Sequence, residues 1–206
     1  MITAIYNYPF PTLEIDEQFI LREQQVEDSA AFFEYYSDPE VARHILAKTP
    51  NSLKDAQSEV EYCRKLFQYR HGLYWSIARK SDNRMIGAVG LYMNNHHHRA
   101  EICYDLHKDY WRKGIMSKAM LVVMEYMFKY AGLHRIEAIT VKENQPSISI
   151  LKKLGFSFEG SLDNYRFYNN KSHDVEMFGL TKAKFNDLMK QYHDTAATAD
   201  QLVTTA

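Results

Sequence analysis

Ala100-Glu-Ile-Cys-Tyr-Asp-Leu106, followed closely by Tyr110-Trp-Arg-Lys-Gly-Ile-Met-Ser117, is the stretch that decides how this chain folds. The first segment is short and alternating, which reads as a strand. In the second, apolar residues at Met116, Met120, Val123, Met124, Met127 and Ala131 recur at helical intervals, and Gly132 is a natural C-terminal stop. A strand running through a Gly-containing turn into a helix presents unpaired backbone N–H groups, backed by the helix dipole, to an anion. Arg112, Lys113, Gly114, Ile115, Met116 and Ser117 occupy that turn. Gly114 lets a phosphate approach the backbone closely, Arg112 and Lys113 add positive charge, and Ser117 adds a hydroxyl. The size suits a pyrophosphate; the plainer reading is a tight turn with two solvated basic residues. Neither GxxxxGK[ST] nor GxGxxG occurs, which argues against a purine nucleotide bound in either usual way.

Working outward, Tyr74 to Arg79, Met85 to Tyr92 and Arg99 to Leu106 read as an antiparallel meander, separated by Ser81-Asp-Asn-Arg84 and by Asn94-Asn-His-His-His98. Upstream lie a strand at Phe19 to Arg22, a helix from Ala30 to Tyr36 broken by Asp38-Pro39, and a helix from Leu53 to Tyr69 capped by Ser52. That last helix shows apolar positions at Leu53, Ala56, Val60, Cys63, Leu66 and Phe67. Downstream, Arg135 to Val141 reads as a strand, Ser147 to Leu154 as a helix closed by Gly155, and Phe156 to Phe167 and Asp174 to Leu180 as strands joined by the turn Tyr168-Asn-Asn-Lys171. The order is β-α-α-β-β-β-α-β-α-β-β.

With 206 residues, 46% of them hydrophobic, the chain predicts one domain, from residue 19 to 193, after an N-terminal extension over 1–18 and before a small, polar, disordered tail over 194–206. Twenty-five basic residues against 26 acidic ones leave no like-charge block for nucleic acid or a membrane surface, so neither is expected as a direct partner. The opening residues lack a basic leader, and no run of roughly 18 apolar residues spans a bilayer. Cys63 and Cys103 form no CxxC pair, which argues against disulfides and a cysteine zinc site and fits a cytoplasmic protein. His96-His-His98 lacks the neighbouring ligands that would complete a metal site, so no metal is expected.

Ala100 to Leu106, Tyr110 to Ser117, Asn144 to Ser147 and Leu154-Gly-Phe156 together resemble the GNAT superfamily of acetyltransferases over roughly Phe19 to Leu180. The Gly-Ile-Met-Ser and Asn-x-x-Ser variants resemble its RimJ/RimL branch, which acetylates the N-termini of ribosomal proteins. The resemblance implies an α/β (α+β) fold with a mixed, mostly antiparallel sheet of about seven strands and about four flanking helices. The family's phosphate-turn pattern, Gln/Arg-x-x-Gly-x-Gly/Ala, falls on Trp111, Gly114 and Met116, so two marked positions depart.

By the same resemblance, the backbone of Tyr104, Asp105 and Leu106 runs beside the pantetheine arm of acetyl-CoA, with the Asp105 or Leu106 N–H near the thioester oxygen. Asn144 meets the pantetheine or its approach path. The tyrosine that protonates the leaving thiolate in many members is replaced here by Leu151, which leaves Ser147 as the candidate donor or, alternatively, as a helix cap. Glu101 matches the strand carboxylate used as a base, or else is structural and paired with a basic neighbour. Alternation places Glu101, Cys103 and Asp105 on one face, opposite Ile102, Tyr104 and Leu106. The implied activity is acetyl transfer from acetyl-CoA to a protein N-terminal amine, by a monomer or homodimer. The alternatives are a small amine such as a polyamine or aminoglycoside, or a non-catalytic acyl-CoA-binding module.

Overall fold

The computed structural model describes residues 2–192; the tail expected over 194–206 lies outside the described residues. In chain order the elements are β1 (Leu13–Glu14), β2 (Phe19–Glu23), α1 (Ser29–Tyr36), α2 (Pro39–Ala42), α3 (Leu53–Gln68), β3 (Gly72–Arg79), β4 (Met85–Asn94), β5 (Arg99–Leu106), α4 (Ile115–Tyr130), β6 (Arg135–Thr140), α5 (Gln145–Lys153), β7 (Ser157–Tyr168) and β8 (Lys171–Thr181). Residues 182–192 form a further helix. All the strands join one sheet in the order β1-β2-β3-β4-β5-β6-β8-β7. Every pairing is antiparallel except that of β5 with β6. The mixed α/β architecture expected from the sequence is therefore present, with β1 as an eighth strand and with α2 and the 182–192 helix added to the expected four.

The two faces of the sheet are covered by different helices. On one face Met120 and Met124 of α4 and Leu151 of α5 pack with Val89 of β4 and Ile102 of β5, all at 3% exposure or less. On the other, Tyr35 of α1 and Val60 of α3 pack with Ala88 of β4. Adjacent residues Ala88 and Val89 thus serve opposite cores, as the two-residue period of a strand requires. The α3 stripe is buried at Ala56, Val60, Cys63 and Leu66, but Leu53, in the first turn, is 52% exposed and does not belong to it. The Ser52 hydroxyl caps α3 by accepting from the Asp55 N–H at 3.1 Å. At Asp38-Pro39 the chain ends α1 and starts the one-turn α2, with Pro39 at a position where its missing N–H costs nothing and Asp38 accepting from Glu40.

The connection from β2 to α1 is fixed by a buried ion pair. Arg22 donates from both terminal nitrogens to Asp28 at 2.7 Å, and Asp28 also accepts from the Ser76 hydroxyl and the Gln25 N–H. This holds α1, and with it Tyr35, against the sheet. The segment before residue 19 lies against the same fold: Ile5 is buried, Phe10 packs on Trp75, and Trp75 Nε1 donates to the Pro11 carbonyl at 2.7 Å. The expected turn between the last two strands is present, with Asn169 and Asn170 at φ of 49° and 56°, the conformation a two-residue hairpin of this kind uses. Among the described residues no helix is long and apolar enough to cross a membrane.

Candidate active site

The site begins where β5 and β6 part. They pair in parallel only at Arg99↔Arg135, Ala100↔Ile136 and Glu101↔Glu137. Beyond these, β5 continues to Leu106 in full register with β4, and β6 continues to Thr140 in full register with β8. Each strand keeps its outer partner and loses the inner one, so a wedge opens between backbone edges whose N–H and C=O groups face each other without a ladder. The closed end is clamped. Arg99 of β5 bonds Glu137 of β6, Arg135 binds both Glu137 and Glu159, and the His134 N–H donates to the His98 carbonyl at 2.8 Å.

At the open end β5 leads into the phosphate turn. Trp111 Nε1 donates to the Leu106 carbonyl at 2.8 Å, folding the turn back on the strand that precedes it. Arg112 and Gly114 adopt left-handed conformations, φ 59° and 75°, and α4 starts immediately after Gly114 with no side chain capping it. The first intrahelical bond runs from Lys118 N–H to the Gly114 carbonyl, so the amides of Gly114, Ile115, Met116 and Ser117 are left for an outside acceptor. A Cβ built on Gly114 would meet nothing within 4 Å, so the approach is open. Met116, which departs from the family pattern, turns its side chain into the core at 5% exposure and leaves the amides clear. Arg112 and Lys113 are exposed, with Lys113 lying 5.4 Å over the Tyr110 ring. A cavity of about 660 Å³ beside this turn is lined by Lys113 of the turn and by Arg79, Lys80 and Lys118, of which the last three are paired with Asp82, Glu14 and Asp16 respectively.

Two side-chain groups flank the wedge. On the α4/α5 face the Tyr104 phenol and the Ser147 hydroxyl are 2.7 Å apart, linking β5 to the start of α5. Burial pushes the Tyr104 phenol up to about 12, against the opposing pull of the Ser147 bond. Helix α5 begins two residues earlier than expected because Pro146 is accommodated in its first turn. The cap is Asn144, whose side chain accepts from the Ser147 N–H at 3.2 Å; Ser147 is therefore not the cap, and its hydroxyl is free to meet Tyr104. Leu151 is fully buried in the core.

On the α1/α3 face stand Glu101, Cys103 and Asp105, the alternation expected from the sequence. Glu101 accepts from Arg166 Nη2 of β7 at 2.6 Å. Asp105 accepts from the Tyr35 hydroxyl at 2.6 Å. Burial, the dominant cause, pushes the Asp105 carboxyl up to about 7; the Tyr35 bond opposes this and the Glu59 charge adds to it. Sequence reasoning missed the Tyr104 phenol, Tyr35 and Arg166, because each acts with a partner 43 or more residues away. The alternation did hold part of the signal, since it set Tyr104 on the face toward α5.

A parting parallel pair, an uncapped helix N-terminus at its mouth and a phenol–hydroxyl pair beneath it define a site suited to an acyl thioester on a long phosphate-bearing carrier. Residues 18–157 match the family model described as an acetyltransferase (GNAT) domain, and the chain belongs to that family. It is an acetyl-CoA-dependent N-acyltransferase. It is 33% identical over 176 residues to the uncharacterized N-acetyltransferase YoaA of Bacillus subtilis, covering 85% of this chain and 99% of that one. It is 37% identical over 91 residues to the spermidine N(1)-acetyltransferase of Escherichia coli K12, covering 44% of this chain and 49% of that one. RimL, a ribosomal L7/L12 α-N-protein acetyltransferase solved with coenzyme A, shares the fold at 18% identity and TM-score 0.75, over 83% of this chain and 98% of that one.

The buried Asp105 carboxyl has a consequence for stability. A carboxyl whose folded pKa is raised from 3.8 to about 7 favours the fold fully below pH 4 and loses that contribution as pH rises to 7. Asp105→Asn, which has no charge to bury, should gain on the wild type over that interval by up to about 4 kcal/mol and stay level above it. Melting temperatures of both proteins from pH 4 to pH 8 check this, and a constant difference across the range would remove Asp105 from the buried titrating groups.

Proposed function

We propose that the acetyl thioester of acetyl-CoA lies in the wedge between β5 and β6, with the pyrophosphate on the Gly114 to Ser117 amides and the acetyl group transferred directly to a primary amine. The observation that carries this is the parting of β5 from β6 after Glu101↔Glu137, because it leaves strand-edge amides free to bond a pantetheine arm or a thioester oxygen. The Tyr104, Asp105 and Leu106 backbone then borders the thioester, with the Asp105 or Leu106 N–H facing the oxygen on which negative charge gathers. Arg112, Lys113 and the Ser117 hydroxyl supplement the amides, and Asn144 lies beside the entry path. Attack by the amine nitrogen forms the C–N bond, the C–S bond breaks, and the thiolate takes a proton. Tyr104 and Ser147 supply that proton as a pair: the Ser147 hydroxyl donates to the phenol oxygen, leaving the phenol O–H free to point toward the sulfur. Burial keeps the phenol protonated, so the donor is loaded at neutral pH. Glu101, held in place by Arg166, accepts the proton lost by the amine, directly or through water.

Of the acceptor classes implied by the sequence, the site favours a small polycationic amine over a protein N-terminus. This reading is supported by the cavity that Glu59 and Asp105 line without a basic side chain among the described residues, and by the likeness over almost half the chain to the spermidine enzyme of E. coli. The likeness to RimL, at 18% identity, is one of fold.

Two tests follow from these assignments. Gly114→Asp should weaken acetyl-CoA binding by about tenfold or more, since a negative charge enters the phosphate approach, whereas Gly114→Ala should show only the smaller cost of a left-handed alanine. Calorimetry on the folded variants measures both, and unchanged affinity in Gly114→Asp would move the phosphates elsewhere. Tyr104→Phe and Ser147→Ala should each lower kcat by roughly ten- to a thousandfold while acetyl-CoA affinity holds, and the double variant should be little worse than either, as expected for groups acting as one unit. Additive losses would separate the two roles.

A further inference from the structure

A small cavity of about 30 Å³ opens on the α1/α3 face, beside β5. Its lining is contributed by the residue after β2, by α1, α3, β3, β4 and β5, with none from β6. Three hydrogen-bond acceptors meet there. The Asp105 carboxylate forms one wall, the Glu59 carboxylate stands at the exposed edge, and the Gln24 side chain, 3% exposed, supplies Oε1. That Gln24 oxygen is buried and has no hydrogen-bond partner among the described residues. A buried acceptor left unpaired is costly, and natural folds retain few of them. The rest of the wall is aromatic at Phe32, Tyr36 and Tyr74 and small or aliphatic at Val60, Cys63 and Ala88, and among the described residues no basic side chain lines it. Arg166, which faces this side of β5, is already engaged by Glu101.

Acceptors in excess, two carboxyl groups with no basic side chain beside them and three aromatic rings in the wall select a compact cationic donor, whose charge would itself favour the ionised form of Asp105. At about 30 Å³ the cavity matches a single water's share of liquid, the size of an ammonium head, with the carbon chain leaving through the opening. We propose that this cavity seats a second ammonium group of the acceptor, so that the substrate is a small diamine or polyamine whose other amine, unprotonated, reacts in the wedge. The position of the cavity separates the two nitrogens. The reacting one must lie between β5 and β6, while the cavity lies over β3, β4 and β5 on the α1/α3 face and takes no lining from β6. The inference rests on the proposed transfer to an amine, but its seat is defined without it.

The test compares 1,4-diaminobutane with n-butylamine, matched in chain length and differing by one ammonium. Calorimetry on the protein saturated with coenzyme A reads binding, and thiol release from acetyl-CoA reads turnover. The diamine should bind at least tenfold more tightly and show a correspondingly lower KM. Gln24→Met replaces the unpartnered acceptor with a side chain of similar shape, so it should fold at no loss of melting temperature while bringing the diamine close to the monoamine. Glu59→Gln, at the exposed edge, should act in the same direction. Equal binding of the two amines by the wild type, or a diamine preference that survives both substitutions, overturns the proposal and identifies the cavity as the seat of a structural water only. Preferential diamine binding without thiol release would leave the ammonium seat standing and overturn the transfer reaction instead. Thiol release from amino-terminal peptides, with no diamine preference in binding, would do the reverse.

Discussion

Strand β6 can hydrogen-bond along only two edges, and it gives its whole length to β8 and three positions to β5. The rest of the site depends on that division. Had β5 and β6 zipped to their ends, the strand edges from Ile102 to Leu106 and from Ala138 to Thr140 would satisfy one another and nothing could enter. Left apart, each unpaired backbone group carries a penalty of about 1 to 3 kcal/mol when shielded from water, which a bound amide-rich arm can remove. The clamp of Arg99, Glu137, Arg135 and Glu159 holds the closed end. At the other end β5 is drawn toward the turn by the Trp111 to Leu106 bond, and α4 begins there.

Because β5 borders the wedge, its alternation distributes chemistry between two sides. Tyr104 turns to α5 and meets Ser147; Glu101 and Asp105 turn to the opposite side and meet Arg166 and Tyr35. In the proposed reaction, proton donation to the leaving sulfur and reception of the acceptor would fall on opposite faces of this one strand. The buried Arg22–Asp28 pair serves the second side at a distance, since it anchors α1 and so sets where the Tyr35 hydroxyl stands.

What the sequence made legible was local. The meander from Tyr74 to Leu106, the periodic face of α4 and the Asn169-Asn170 hairpin each follow from a period or a turn residue, and all are present. The helix N-terminus at Gly114 followed from the order of strand, turn and helix, and the mixed sheet from the resemblance to the GNAT superfamily. Element ends were less legible: α5 starts at Gln145 because Pro146 fits a first turn, and Leu53 is periodic yet exposed. Illegible altogether were pairings between distant residues. Tyr35 with Asp105 spans 70 positions and Tyr104 with Ser147 spans 43, and no pattern within either element announces its partner. The unpartnered oxygen of Gln24 is likewise a property of packing, visible only once α1, α3 and the sheet enclose it.

On the proposed reading, the gap between β5 and β6 holds the cosubstrate's arm. Backbone amide hydrogen exchange, followed with and without coenzyme A, reads that gap directly, since its edge amides have no ladder partner in the free protein. With the arm in that gap, coenzyme A should slow exchange in two places together, at residues 102–106 of β5 and at residues 114–117 after the Gly114 turn. Protection confined to the turn, or appearing on the α1/α3 face with β5 unchanged, would contradict that reading.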